Sequence, residues 1–249
     1  MRSDWKRPAL EPLEEGKRRI KLTVSYDGAG FSGWQSQMNG NGVQQYLERA
    51  VAEITGETVT IFGSGRTDSG VHALGQVCHF DTKSLIKAGS FVPALNTKLP
   101  KTVRVLDAEE TDGSFHSRFT TMAREYRYFV KDESSFLPFD EKHVTKTRHL
   151  PDIKLLEEYA EVLKGTHDFT TFASARDICP SKCRDIYESE WVKTCDLYGM
   201  DVYMFRIVGN AFLYHQIRSL VGTMLLLAKK GKAQQSSDAG WRLRTGLKP

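Results

Sequence analysis

Along this chain the spacing of apolar residues switches repeatedly between two and about 3.6, the periods of a strand with one buried face and of an amphipathic helix. From Arg19 to Tyr26, apolar Ile20, Leu22, Val24 and Tyr26 alternate with polar residues, which predicts a half-buried strand. A Gly-rich stretch from Asp27 to Gly42 follows, containing Phe31, Trp34 and two Asn-Gly turns. Val43, Tyr46, Leu47, Ala50, Val51 and Ile54 then fall at helical spacing, with Gly56 as the stop. Thr58–Gly63 and Gln76–Phe80 read as strands on either side of a Gly-rich turn. Phe91–Leu99 reads as a helix ended by Pro100, and Val103–Ala108 and Arg124–Lys131 as strands. A helix is predicted from Pro151, with Ile153, Leu156, Tyr159, Ala160 and Leu163 on one side. Strands at Arg184–Thr194 and Asp201–Gly209 turn at Tyr198-Gly199, and a long helix is expected over Phe212–Lys230. Strands and helices in this mixed order predict an α+β fold rather than a regular βαβ alternation.

Composition narrows the classes. A chain of 249 residues that is 40% hydrophobic and 27% charged has the apolar content for a real core and is not globally disordered. Its net charge of +4 permits an anionic partner without demanding one. Cys78, Cys179, Cys183 and Cys195 are too few for a disulfide scaffold of this size. The longest apolar stretch, Met224–Ala228, is far short of the roughly 20 residues of a membrane span. The first residues, Met1 to Arg7, mix both charges with no apolar run behind them, so a cytoplasmic location is expected.

Three places could carry chemistry. Asp68 stands in Gly65-Arg66-Thr67-Asp68-Ser69-Gly70, between two expected core strands. By turn preferences alone it would bond local amides; but Arg66 is close by, and the glycines let a ligand approach the main chain. Tyr126 and Tyr128 on one strand, flanked by arginines, suit either a core or a platform for stacking a base. Arg218, one position from Ile217 on the last helix, could snorkel at the edge of the buried face or pair with a carboxylate. His72, Cys78, His79, Cys179 and Cys183 lack the spacing of a zinc site, and there is no Walker loop or dinucleotide fingerprint. Neither a metal nor a cofactor is expected.

Gly65-Arg66-Thr67-Asp68-Ser69-Gly70-Val71-His72-Ala73 resembles the signature of the bacterial tRNA pseudouridine synthase A family. Other segments resemble that family in the same order. They are Tyr26-Asp27-Gly28, Gly33-Trp34-Gln35, Val43-Gln44, Leu99-Pro100, Phe115-His116-Ser117-Arg118-Phe119, Tyr126-Arg127-Tyr128, Asp168-Phe169 and Asn210-Ala211-Phe212 through Gly222. The resemblance implies two ferredoxin-like α/β lobes sharing one central, mostly antiparallel sheet, with the active cleft between them. Residues 1–18 would be a tail, 19–112 the lobe carrying the Asp loop, and 113–249 the second lobe. It further implies a homodimer, no cofactor, and conversion of uridine to pseudouridine at positions 38 to 40 of the tRNA anticodon stem-loop. By motif match Asp68 would be the catalytic aspartate and Tyr126 the tyrosine stacked on the target uracil. Arg66 and Arg218 would be the basic residues beside the aspartate, holding it ionised.

One segment departs from the family pattern. After Gly231 the family continues through a further helix and a strand with a Gly-Leu-x-Leu-like segment, of which Gly246-Leu247 is at best a remnant. A truncated or replaced end is therefore expected, and with it the alternative of an RNA-binding relative whose catalysis is impaired.

Overall fold

The computed structural model describes residues 12–36 and 41–229. They form two compact units, one ending at Thr121 and the other beginning at Met122. The first unit runs β1 (Arg18–Tyr26), α1 (Val43–Thr55), β2 (Phe62–Gly63), β3 (Ala73–Thr82), α2 (Phe91–Asn96) and β4 (Val103–Thr111). Its sheet has the order β2-β3-β1-β4 with every neighbour antiparallel, the ferredoxin-like plan. Period-two alternation sends Ile20, Leu22, Val24 and Tyr26 into one core with Leu47 and Val51 of α1 and Phe91 and Leu95 of α2. Burial of each such side chain contributes about 1.5–3 kcal/mol.

The other face of this sheet carries a polar network. Arg19 is buried and donates from Nε and Nη2 to the two carboxylate oxygens of Asp81, at 2.7 and 2.8 Å. Its Nη1 reaches the carbonyls of Gly113 and Phe115, so one guanidinium ties the 113–115 segment to β1 and β3. Beside it, the Ser117 N–H donates to His79 Nδ1 at 3.2 Å and the Ser117 hydroxyl donates to the Phe62 carbonyl at 2.6 Å. An Nδ1 that accepts leaves His79 neutral, with its proton on Nε2. Burial, aided by the nearby Arg19 charge, lowers the His79 pKa to about 3.

The second unit runs β5 (Arg124–Asp132), β6 (Thr145–Thr147), α3 (Ile153–Glu161), β7 (Gly165–Asp168), β8 (Cys183–Cys195), β9 (Asp201–Gly209) and α4 (Gln216–Lys229). Its sheet has the order β6-β5-β9-β8-β7, antiparallel except where β6 lies along Val130–Asp132. The elements β5-α3-β8-β9-α4 repeat the first five of the first unit, with β5, β9 and β8 in the places of β1, β3 and β2. Val130, Phe205 and Ile207 share a core with Leu156 of α3 and Leu220 and Met224 of α4.

The α+β class and the mostly antiparallel strands agree with the sequence reading, while some element bounds differ. The described pairings form one sheet within each unit. The strand expected over Thr58–Gly63 shrinks to Phe62–Gly63, because the Ile61 N–H is taken by the Glu48 carboxylate of α1 at 3.0 Å. The long helix begins at Gln216 rather than Phe212, because His215 has φ +62° and cannot belong to it. Lys230 and the Gly231–Pro249 segment, with Gly246-Leu247, lie outside the described residues, as do the first eleven.

His79 makes the first unit sensitive to acid. The unfolded chain protonates this imidazole near pH 6.5, whereas the folded unit refuses the proton until about pH 3. Its contribution is therefore complete above pH 6.5 and is lost as pH falls through that window. His79→Asn keeps an acceptor for the Ser117 amide without the titration. Denaturation midpoints should fall less for this variant than for the wild type between pH 7 and pH 5; parallel pH profiles would contradict the assignment.

Candidate active site

The loop carrying Asp68 is built on the segment that follows β1. Gly28 lies so close to the loop that a Cβ there would overlap the Val71 carbonyl oxygen. Gly33, at φ +106°, faces the Thr67 carbonyl in the same way, so any side chain is excluded by both space and backbone conformation. Hydrogen bonds complete the fit. The Trp34 N–H donates to the Thr67 carbonyl at 3.1 Å, the Gly70 N–H donates to that of Phe31 at 3.3 Å, and the Tyr26 and Thr67 hydroxyls lie 2.8 Å apart. From the far side, Gln76 of β3 donates to the Gly65 carbonyl at 2.6 Å. A Cβ on Gly63 would come within 2.6 Å of the buried Trp34 ring, so the start of the loop also depends on glycine.

The same segment starts α1. Gly33 and Trp34 carbonyls accept from the N–H groups of Val43 and Gln44, at 3.1 and 3.0 Å. Two of the helix's four unpaired first-turn donors are satisfied by the chain that grips the Asp68 loop. Sheet, helix and loop thus share a single set of backbone contacts. Asp68 itself is half-buried and Arg66 is exposed on the same loop. Its neighbour Val71 closes the turn by donating to the Asp68 carbonyl at 3.2 Å.

Tyr126 and Arg218 belong to the second unit. Tyr126 is half-buried on β5, on the face that packs against the core, and its ring meets Phe212 edge-on at 5.1 Å and 86°. The other face of β5 and β9 is ionic, with Arg206 held by Glu125, Glu188 and Glu190. Hydrogen bonds that Arg206 donates to these three carboxylates drive its pKa well above the usual value. This separation of faces explains how Tyr126 keeps an apolar setting on a strand rich in charge.

Arg218 stands exposed in the first turn of α4. It lines a cavity of about 580 Å³ with Thr171, Phe172, His215, Ser219 and Gly222, among others. The turn leading into α4 is fixed from several sides. The Asn210 side chain donates to Asp185 at 2.9 Å, while Asp185 N–H donates back to the Asn210 side-chain oxygen at 3.2 Å. Arg124 holds the Asn210 carbonyl at 2.7 Å. The Gln216 side chain accepts from the Leu213 N–H at 2.8 Å. The sequence reading missed the left-handed residue, His215, because the apolar spacing runs through Phe212 and Leu213 without interruption; no local signal marks it.

Of the four residues singled out from sequence, Asp68 and Arg66 share one loop of the first unit, and Tyr126 and Arg218 lie in the second. Comparison with known proteins supplies the context. A profile of the tRNA pseudouridine synthase family matches residues 22–120 and 159–240. The chain is 44% identical over 209 residues to tRNA pseudouridine synthase A of Bacillus pumilus, covering 83% of each protein. It is 41% identical over 217 residues to the protein of the same name from an Exiguobacterium species, covering 87% of this chain and 85% of the other. The corresponding protein of Treponema pallidum is 40% identical over 219 residues, 86% of this chain and 76% of its own length. The matched spans contain the Asp68 loop with the segment that grips it, and the whole of α4. By these matches the chain belongs to the tRNA pseudouridine synthase family.

Proposed function

We propose that this chain isomerises uridine to pseudouridine at positions 38 to 40 of the tRNA anticodon stem-loop, with Asp68 as its catalytic carboxylate. The coarser statement, an isomerase acting on tRNA uridine, follows from family membership and from relatives named tRNA pseudouridine synthase A. The observation that carries the role given to Asp68 is its seat. It is a half-buried carboxylate on a loop whose backbone is clamped at Thr67, Gly70 and Val71. A group fixed in this way meets its substrate without first having to be ordered.

The reaction breaks the N1–C1′ bond, turns the uracil, forms a C5–C1′ bond, releases the C5 proton to solvent and takes up a proton at N1. Reactant and product are isomers, so the proton lost at C5 is matched by the one gained at N1 and no oxidant or reductant is needed. Attack at C1′, addition at C6 and proton abstraction at C2′ each require an ionised carboxylate, the role assigned to Asp68. Arg66 supplies positive charge for that carboxylate, and Arg66 and Arg218 supply it for the substrate phosphates. The uracil must leave its stack to be reached, and Tyr126 offers the aromatic face that receives it. A homodimer acting in the cytoplasm is part of the same proposal; among the described residues no helix is long and apolar enough to cross a membrane.

Two substitutions test these assignments, read by tritium release from [5-³H]uridine-labelled tRNA. Asp68→Asn keeps the shape and loses the charge, so product formation should cease while tRNA affinity stays within a few fold; turnover by the pure variant would remove Asp68 from the chemistry. Tyr126→Leu should slow turnover by about 5- to 150-fold, since stacking contributes about 1–3 kcal/mol per base. Unchanged kinetics would make Tyr126 a packing residue against Phe212 and nothing more.

A further inference from the structure

The carboxylate of Asp177 is 7% exposed, although it lies in a loop between β7 and β8. Its Oδ2 accepts from the Tyr214 N–H at 2.6 Å. Its Oδ1 accepts from the Cys179 N–H at 2.8 Å and from the Lys182 ammonium at 2.7 Å. Burial alone would raise its pKa, but these three donors outweigh it and hold the group down to about 2, ionised throughout the working range.

What this carboxylate grips is the N–H of the residue immediately before the left-handed one. The Tyr214 carbonyl accepts from the Ser174 N–H at 3.0 Å, and Asp177 N–H donates to the Ser174 carbonyl at 2.9 Å. Tyr214 is therefore fixed at both its N–H and its C=O by one short loop. On the other side, the His215 carbonyl accepts from the Ser219 N–H at 3.0 Å, the first bond of the α4 ladder. The φ of +62° at His215 is the angle that joins these two fixed groups. A non-glycine residue adopts this conformation only where its surroundings over-determine it. Arg218 follows three residues later, and the cavity it lines has Thr171 and Phe172 on the loop side and His215 and Ser219 on the helix side. The clamp thus ties the loop that follows Phe172 to the turn that precedes Arg218.

We propose that Asp177 is a positioning residue of this enzyme: by holding the Tyr214 amide it sets the left-handed turn at His215, and with it the direction from which Arg218 reaches the substrate. This rests on the reading of Arg218 as a substrate-side residue. Asp177 does not touch the reacting atoms. Lys182 neutralises the buried carboxylate, but the Tyr214 bond runs to the other oxygen and does not pass through the ammonium.

The test is a mutant cycle read by steady-state pseudouridine formation on tRNA, with a thermal midpoint for each variant. Asp177→Ala should lower kcat by about tenfold or more, as small displacements of a substrate-positioning group do, with KM for tRNA little changed. Arg218→Ala should lower kcat at least as far, and the double variant should be no slower than Arg218→Ala alone, because the two act through one group. Lys182→Met, which leaves the Tyr214 bond in place, should keep kcat close to the wild-type value. If the alanine variant does not fold, Asp177→Asn takes its place in the cycle. It has one oxygen for Tyr214 or Cys179 but not both, and its kcat should still fall without a further fall in the Arg218→Ala background. Normal kcat for the Asp177 variants, additive losses in the double variant, or a loss in Lys182→Met equal to that in Asp177→Ala would each overturn the positioning role while leaving Arg218 in place. Normal turnover by Arg218→Ala would instead overturn the reading of Arg218, and this inference with it.

Discussion

Backbone meets backbone where Gly28 and Gly33 face the carbonyls of Val71 and Thr67, with no room for a side chain between them. Loops generally lie on the surface and move more than the elements they join. Here the loop between β2 and β3 is pressed onto the chain that leaves β1, and that chain also starts α1. The first unit's sheet, its long helix and its Asp68 loop are consequently positioned by one another. The glycines give up side-chain burial at these points, and the hydrogen bonds from Trp34, Gly70 and Gln76 make up part of the difference.

The second unit repeats the order of strands and helices but holds the turn into α4 largely by side chains. Charged and amide groups act there beside a glycine contact, since a Cβ on Gly209 would come within 2.8 Å of the Asp185 carbonyl oxygen. Asp177 takes the Tyr214 N–H, Asp185 and Asn210 bond reciprocally, and Arg124 closes on the Asn210 carbonyl. Lys131, fully buried, is held between Asp140 and Asp196 and ties the end of β5 to the β8–β9 turn. Burial lowers its pKa, but hydrogen bonds to the two carboxylates more than reverse this, so it stays charged. Removing one member of such a group leaves an uncompensated buried charge, which is why these contacts specify a conformation as well as stabilise it.

Periodicity made the strands and helices legible where packing decides the structure. β9 matches its expected bounds and β1 differs by one residue, since a buried face and a solvated face alternate along each. The reading failed where a side chain competes with the backbone ladder. Glu48 captures the Ile61 N–H and shortens β2. It failed again at His215, whose conformation is imposed by a loop some forty positions away in sequence. For the candidate site, residue pattern alone made Asp68 a turn residue and Arg218 a snorkelling edge. Only the ordered series of motifs pointed further, because the contacts that set Asp68 apart join Gly28 and Gly33 to a distant loop and leave no local trace.

If the grip of the β1–α1 segment on the Asp68 loop sets the geometry of catalysis, a single methyl group in that contact should be enough to spoil it. Gly28→Ala places its methyl against the Val71 carbonyl, a backbone atom that yields only if the loop shifts. The direct measurement is single-turnover pseudouridine formation by this variant, alongside its circular dichroism and tRNA affinity. The account predicts a folded protein that binds tRNA nearly as well as the wild type and forms product at least about tenfold more slowly. Wild-type single-turnover rates in a folded Gly28→Ala protein would contradict it.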